Sequence, residues 1–130
     1  MTLPEILLSW AVLLSGYPAP AEVPDVVAVP SSVLADKACS GDRNCKALGW
    51  FGGGVQVLLD ERLHPDSDML AASIVVHEMV HYLQGQSGAF GHDCASAVQA
   101  EREAYAVQKE FLLRNGVFGY VGLGFLRSSC

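Results

Sequence analysis

The sequence predicts an α+β fold in which a short twisted β-sheet lies against two long helices. Three observations carry that reading. Apolar residues recur at helical spacing over two long segments, about 69–84 and 95–115, and a glycine follows each one. Three short strand-like runs, 25–29, 47–51 and 55–60, precede them, and Gly52-Gly53-Gly54 joins the last two. With 130 residues, 51% apolar and 17% charged, the chain suits a single domain, 1–130, with one modest core. Only a sheet combined with helices covers the apolar faces of all these segments.

Each element has a local cause. Leu3, Ile6, Leu7, Trp10 and Leu14 form an apolar helical stripe, with Glu5, Ser9 and Val12 off it, and the helix should end near Gly16. Ala19-Pro20-Ala21 faintly resembles a leader cleavage site. However, no basic residue precedes the apolar run Ile6–Leu14, and Glu5 stands where a positive charge belongs. The segment therefore reads as the first helix of the domain, and an exported form would carry its leader upstream of this chain. Prolines exclude a continuous helix over Tyr17–Pro24. Ser31–Lys37 suits a helical turn leading into a polar loop between Cys39 and Cys45. Asp66 or Ser67 can cap the helix that begins near Met69, with Asp68 in its first turn and Gly85 as its stop. A loop with Gly85, Gly88 and Gly91 leads to the last helix, and it could serve as a rim over a substrate. Val117–Cys130, apolar and interrupted by glycine, should pack over the core.

Charge and cysteines narrow the function classes. Eight basic residues against 14 acidic ones give a net charge of −6. That leaves no basic footprint for a nucleic acid. No apolar run reaches the roughly 18–20 residues of a membrane span. The four cysteines contain no C-x-x-C pair, which argues against a zinc knuckle or a thioredoxin-like motif. Their even number fits two disulfides with three possible pairings, and the polar or terminal settings of Cys39, Cys45 and Cys130 favour them over four reduced thiols. The polar turn suits a local Cys39–Cys45 bridge, with Cys94 and Cys130 then pinning the tail. The expected compartment is then the cell envelope, or secretion.

The chemistry concentrates in His77-Glu78-Met79-Val80-His81, an H-E-x-x-H motif inside the first long helix. Residues four apart share a helix face, so both imidazoles can reach one metal ion while Glu78 points toward its water. Ile74, Val75, Val76, Met79, Val80 and Leu83 make the surroundings apolar, and polar groups placed there need partners or a metal. The plain alternative is a hydrogen-bonded pair of core histidines. A catalytic zinc takes three protein ligands and one water. The pattern with a third histidine ten residues after the first fails, because position 87 is Ser87 and the glycine position is Gln84. Glu101, Glu103, His92 and Asp93 remain as third-ligand candidates. Either glutamate could equally be a solvated helix charge.

His77–His81 followed by Glu101-Arg102-Glu103-Ala104 resembles the gluzincins, zinc peptidases whose third ligand is a glutamate on a following helix. Glu101-x-x-Ala104-Tyr105 matches their E-x-x-A-D form except at the last position. H-E-x-x-H-Y-L-Q with E-x-E-A-Y-x-V-Q further resembles a small bacterial family of minimal zincins. These motifs cover about 74–108. The resemblance implies a minimal zincin-like domain, one zinc per chain on His77, His81 and Glu101, and a peptide or protein substrate. In that reading Glu78 is the general base toward a zinc-activated water. Tyr105, His92 or Tyr82 would stabilise the oxyanion, and Val55–Leu59 would form an exposed edge strand along the cleft. Two rival readings are a metal-stabilised binding or regulatory domain without turnover, and a zinc amidase acting on a non-protein or cell-wall substrate.

Overall fold

The structure is a computed structural model that describes residues 1–42, 44 and 46–118. The order is α1 (Leu3–Ser15), β1 (Asp25–Val29), α2 (Ser31–Cys39), β2 (Gly49–Phe51), β3 (Gln56–Asp60), α3 (Met69–Ser87) and α4 (Cys94–Arg114). The fold is therefore α+β, with a three-stranded mixed sheet ordered β1-β3-β2. The glycine-rich turn joins β2 to β3 as an antiparallel hairpin, pairing Gly49 with Leu59 and Phe51 with Val57. β1 runs parallel to β3, from Asp25 opposite Gln56 to Val29 opposite Asp60.

Local chemistry sets the helix ends. Thr2 caps α1 by accepting from the Glu5 N–H, and Gly16 closes it at φ +81°. Asp68 itself caps α3, accepting from the Leu70 N–H at 2.9 Å, so the expected caps Asp66 and Ser67 are not used. α3 also passes through Gly85 to Ser87 and stops at Gly88, whose φ of +62° is the left-handed turn that glycine accommodates without strain. The connecting loop is correspondingly shorter than expected. Strand β2 begins two residues later than the sequence pattern, and 31–39 forms a full short helix rather than one turn.

One apolar cluster joins α1, β3, α3 and α4. Leu7, Leu8 and Ala11 are the buried residues of α1, with Trp10 edge-on to Phe111 at 5.5 Å. Leu3, Leu7, Trp10 and Leu14 of the expected stripe pack on the core, Ile6 is exposed, and Leu8, Ala11 and Val12 widen the buried face. Val57 and Leu59 of β3 face the helices, and alternation puts Gly49 and Phe51 of β2 on that same side. Trp50 faces the other way, beneath Lys37 of α2 at 5.8 Å. Buried residues surround α3, including Val75, Val76, Met79, Val80 and Leu83, as is usual for a helix at the centre of a fold. Val117 packs against the core, Phe118 is exposed contrary to the expected tail packing, and the remainder, 119–130, lies outside the described residues. No helix among the described residues is long and apolar enough to cross a membrane. Cys39 and Cys94 are disulfide-bonded, while the expected partners Cys45 and Cys130 also lie outside the described residues.

Asp60 ends β3 in a buried position and accepts from Arg62 through its backbone N–H, Nε and Nη2. The side-chain bond from Arg62 outweighs burial and holds the Asp60 carboxyl below its ordinary value of 3.8. A lowered carboxyl stabilises the fold above its unfolded pKa, and that contribution is lost as pH falls through the folded one. Asp60→Asn should cost about 1.5 kcal/mol at neutral pH, the low end because Arg62 is largely in solvent. Denaturant titrations of both proteins should converge below about pH 4; a constant gap down to pH 2 would contradict this assignment.

Candidate metal centre

Helix α3 turns one polar line, Ser73, His77, His81 and Gln84, toward α4, which answers with Glu101, Tyr105 and Gln108. Spacings of three and four residues place each set on one helix face. Among the described residues, His77, His81 and Glu101 form the group able to hold a metal ion, each offering one donor atom within 4.8 Å of the others. His77 Nε2 lies 3.2 Å from Glu101 Oε1, and His81 Nε2 contacts the same oxygen. Two imidazole nitrogens and a carboxylate oxygen aimed at one point need protons or a cation between them. Two nitrogens and one oxygen also make a suitable three-ligand zinc set. The donor chemistry therefore fits a metal.

The other ring nitrogens are also held. His77 Nδ1 lies 3.0 Å from Gln108 Oε1, and the Gln108 amide donates to Ser73 Oγ at 3.1 Å. His81 Nδ1 lies 2.7 Å from Gln84 Oε1, and the Gln84 amide donates to the Ala100 carbonyl and to Glu103 Oε1. Glu103 in turn accepts from the Tyr17 hydroxyl at 2.5 Å. That bond and, more strongly, burial push Tyr17 up to about 12.

Exposure is graded across the group. His77 is 5% exposed, whereas the side chains of His81 and Glu101 are 20% and 42% exposed. The site thus opens to solvent on the Glu101 side. Burial pushes the Glu101 carboxyl up, but hydrogen bonds and attraction from both histidines outweigh it and hold the carboxyl well below the usual range. Burial works to lower His81, yet the bond to Glu101 and the nearby carboxylates raise it.

Glu78 lies beside this group, with an oxygen 3.9 Å from His77 Nε2 and its side chain 13% exposed. Burial raises its carboxyl against the attraction of both histidines, and the Phe51 backbone N–H binds it. The β2 register explains that last contact. Asp60 N–H bonds to the Leu48 carbonyl, which makes 48 and 50 the ladder-bonded positions and turns the groups of 49 and 51 outward. The outer edge of β2 therefore faces Glu78. This corrects the expected edge strand: β3 lies between two partners, so Val55–Leu59 is the centre of the sheet and β2 is the edge at the site. The central position rests on β3 pairing with β1 on one edge and β2 on the other, whereas the apolar run Val57-Leu58-Leu59 reflects cover on both faces of the strand.

The other candidates separate. Glu103 binds Gln84 and Tyr17 outside the converging group. Asp93 caps α4 by accepting from the Ser96 N–H and hydroxyl, and His92 is exposed and outside the group. Tyr82 is a core residue whose hydroxyl donates to the Glu22 carbonyl at 3.0 Å, so it is not directed at the site. The Tyr105 ring lies against His77, centroids 4.3 Å apart. Sequence reasoning missed Gln84, Gln108, Ser73 and Tyr17. Gln84 and Ser73 were findable, since they stand three and four residues from the motif histidines on an otherwise apolar helix.

Gly49 lets β2 settle on α3. A Cβ there would stand 2.9 Å from Ile74 Cγ2 and 3.3 Å from Glu78 Cγ. Gly49→Ala should push β2 off Glu78 and cost about 1–3 kcal/mol, read as a lowered Tm. An unchanged Tm would show that the strand and helix have room to spare.

Comparison with protein-family models, with curated proteins and with solved structures returned no significant match. The site's own geometry is therefore the basis for a functional reading.

Proposed function

We propose that the chain is a zinc-dependent hydrolase, a metallopeptidase of minimal gluzincin type acting on peptide bonds. The observation that carries the reading is the convergence of His77, His81 and Glu101 with the Glu78 carboxylate beside them. A purely structural metal site has no use for such a carboxylate and usually closes its fourth position with protein. In this reading His77, His81 and Glu101 hold the metal.

When bound, zinc lowers the pKa of water and polarises a scissile carbonyl. The residues of the chain supply the rest. Glu78, steadied by the Phe51 N–H, takes a proton from the water and delivers it to the leaving amine nitrogen. Tyr105, one helical turn beyond Glu101 and packed on His77, is the candidate oxyanion donor. With the Phe51 N–H engaged by Glu78, the outward groups of Gly49 and the Phe51 carbonyl would meet an extended peptide lying along β2 through main-chain hydrogen bonds. The disulfide-bonded Cys39 and Cys94 support an oxidising compartment, the cell envelope or outside.

Metal analysis should find one zinc per chain, lost in His77→Ala and His81→Ala and retained in Glu78→Gln. Loss of zinc in Glu78→Gln would make Glu78 a ligand and overturn its role as base. Against a diverse peptide library, zinc-loaded Glu78→Gln should be about 10²–10⁴-fold slower than wild type. Equal signals from the two proteins across the library would favour a binding domain without turnover.

A further inference from the structure

We propose that Gln84 and Gln108 are positioning residues, which hold His81 and His77 with Nδ1 protonated and Nε2 turned to the metal position. The role rests on reading His77, His81 and Glu101 as a metal site. The hydrogen-bond geometry behind it stands independently of that reading.

The direction of every bond follows from an unambiguous end. The Ala100 carbonyl can only accept, so the group of Gln84 facing it at 3.0 Å is the amide nitrogen, and the Gln84 oxygen faces His81. An amide oxygen only accepts, so His81 Nδ1 must carry a proton. The second chain runs the same way. The Leu70 carbonyl takes the Ser73 hydroxyl proton at 2.6 Å, leaving Ser73 Oγ to accept from the Gln108 amide. Gln108 Oε1 then accepts from His77 Nδ1 at 3.0 Å. Gln84 and Gln108 are 6% and 3% exposed, so water does not compete for these bonds. No buried side-chain nitrogen or oxygen among the described residues lacks a partner.

The two chains end differently. That of His77 ends on a neutral hydroxyl and a backbone carbonyl. That of His81 ends on the Glu103 carboxylate, which also accepts from Tyr17 and so ties the α1–β1 link to the site. Gln108 also accounts for Tyr105, where the resembling peptidases have an acid. The acceptor for the histidine stands one turn further along α4, and the ring of Tyr105 leans against His77 at a tilt of 58°. Partners of this kind fix ring orientation, and their loss typically weakens metal binding about 10–100-fold.

The test is ¹⁵N–¹H correlation NMR of the imidazoles in full-length protein, metal-free and zinc-loaded, combined with zinc affinities. Wild type should show an exchange-protected Nδ1–H on both rings in both forms. Gln108→Leu should remove protection at His77 alone, Gln84→Leu at His81 alone, and each should weaken zinc binding about 10–100-fold. Gln108→Glu keeps an acceptor beside His77, and Ser73 can turn its hydroxyl to meet it, so protection and affinity should return. Nδ1 atoms without protons in wild type, or leucine variants with wild-type zinc affinity, would overturn the proposal. Protected Nδ1 protons in a protein that binds no zinc would remove the metal reading instead and leave the hydrogen-bond assignment standing.

Discussion

Three electron-rich atoms, two imidazole Nε2 and one carboxylate oxygen, are held at one point between α3 and α4, and the helix packing depends on meeting that constraint. α3 packs more extensively along α4 than against any other element. The seam between them is polar on the site side and apolar toward Ala104, Val107, Phe111 and Leu112. Without a cation or protons between them, the converging atoms would repel and push the helices apart. With one, they add a cross-link at the solvent end of a seam whose other end is closed by the core. The buried partners of the two rings matter for the same reason, because a half-satisfied polar network in such a seam would be worse than an apolar one.

The layout makes the site one-sided. His77 is enclosed, whereas His81 and Glu101 open outward. On the Glu78 side lies β2, whose missing Cβ at Gly49 lets the strand settle on the helix, with the Phe51 N–H on Glu78. Sheet and helices thus meet at the carboxylate best placed to handle a proton. The rigid core beneath, with Val57 and Leu59 on one side of α3 and Leu7, Leu8 and Phe111 on others, holds that meeting point.

Much of this was legible in the residues. The strand–glycine–strand pattern of 47–60 named the hairpin, and helical spacing named both long helices. The spacing of His77 and His81 anticipated two of the three atoms that converge, and the gluzincin resemblance pointed to Glu101 for the third. Sheet order was not legible, because the β1–β3 partners lie far apart in sequence, and the apolar run in β3 reports covered faces rather than its place between two strands. The end of α3 was misplaced because Gly85, on the exposed side of the helix, does not break it, and only Gly88 takes a positive φ. Among the four acidic or histidine candidates for third ligand, sequence left the choice open. In the structure Glu101 is the candidate that converges with the two histidines, while Glu103 is engaged by Gln84 and Tyr17, and Asp93 by the start of α4. The glutamines escaped notice because a single Gln on a helix usually faces water, and their burial is a tertiary fact.

The most direct measurement is a crystal structure of the zinc-soaked protein, with anomalous scattering recorded on both sides of the zinc edge. The account predicts one zinc peak about 2.0–2.2 Å from His77 Nε2, His81 Nε2 and a Glu101 carboxylate oxygen. A protein crystal with no peak there, or with the peak on Glu103 or Asp93 in place of Glu101, would contradict it.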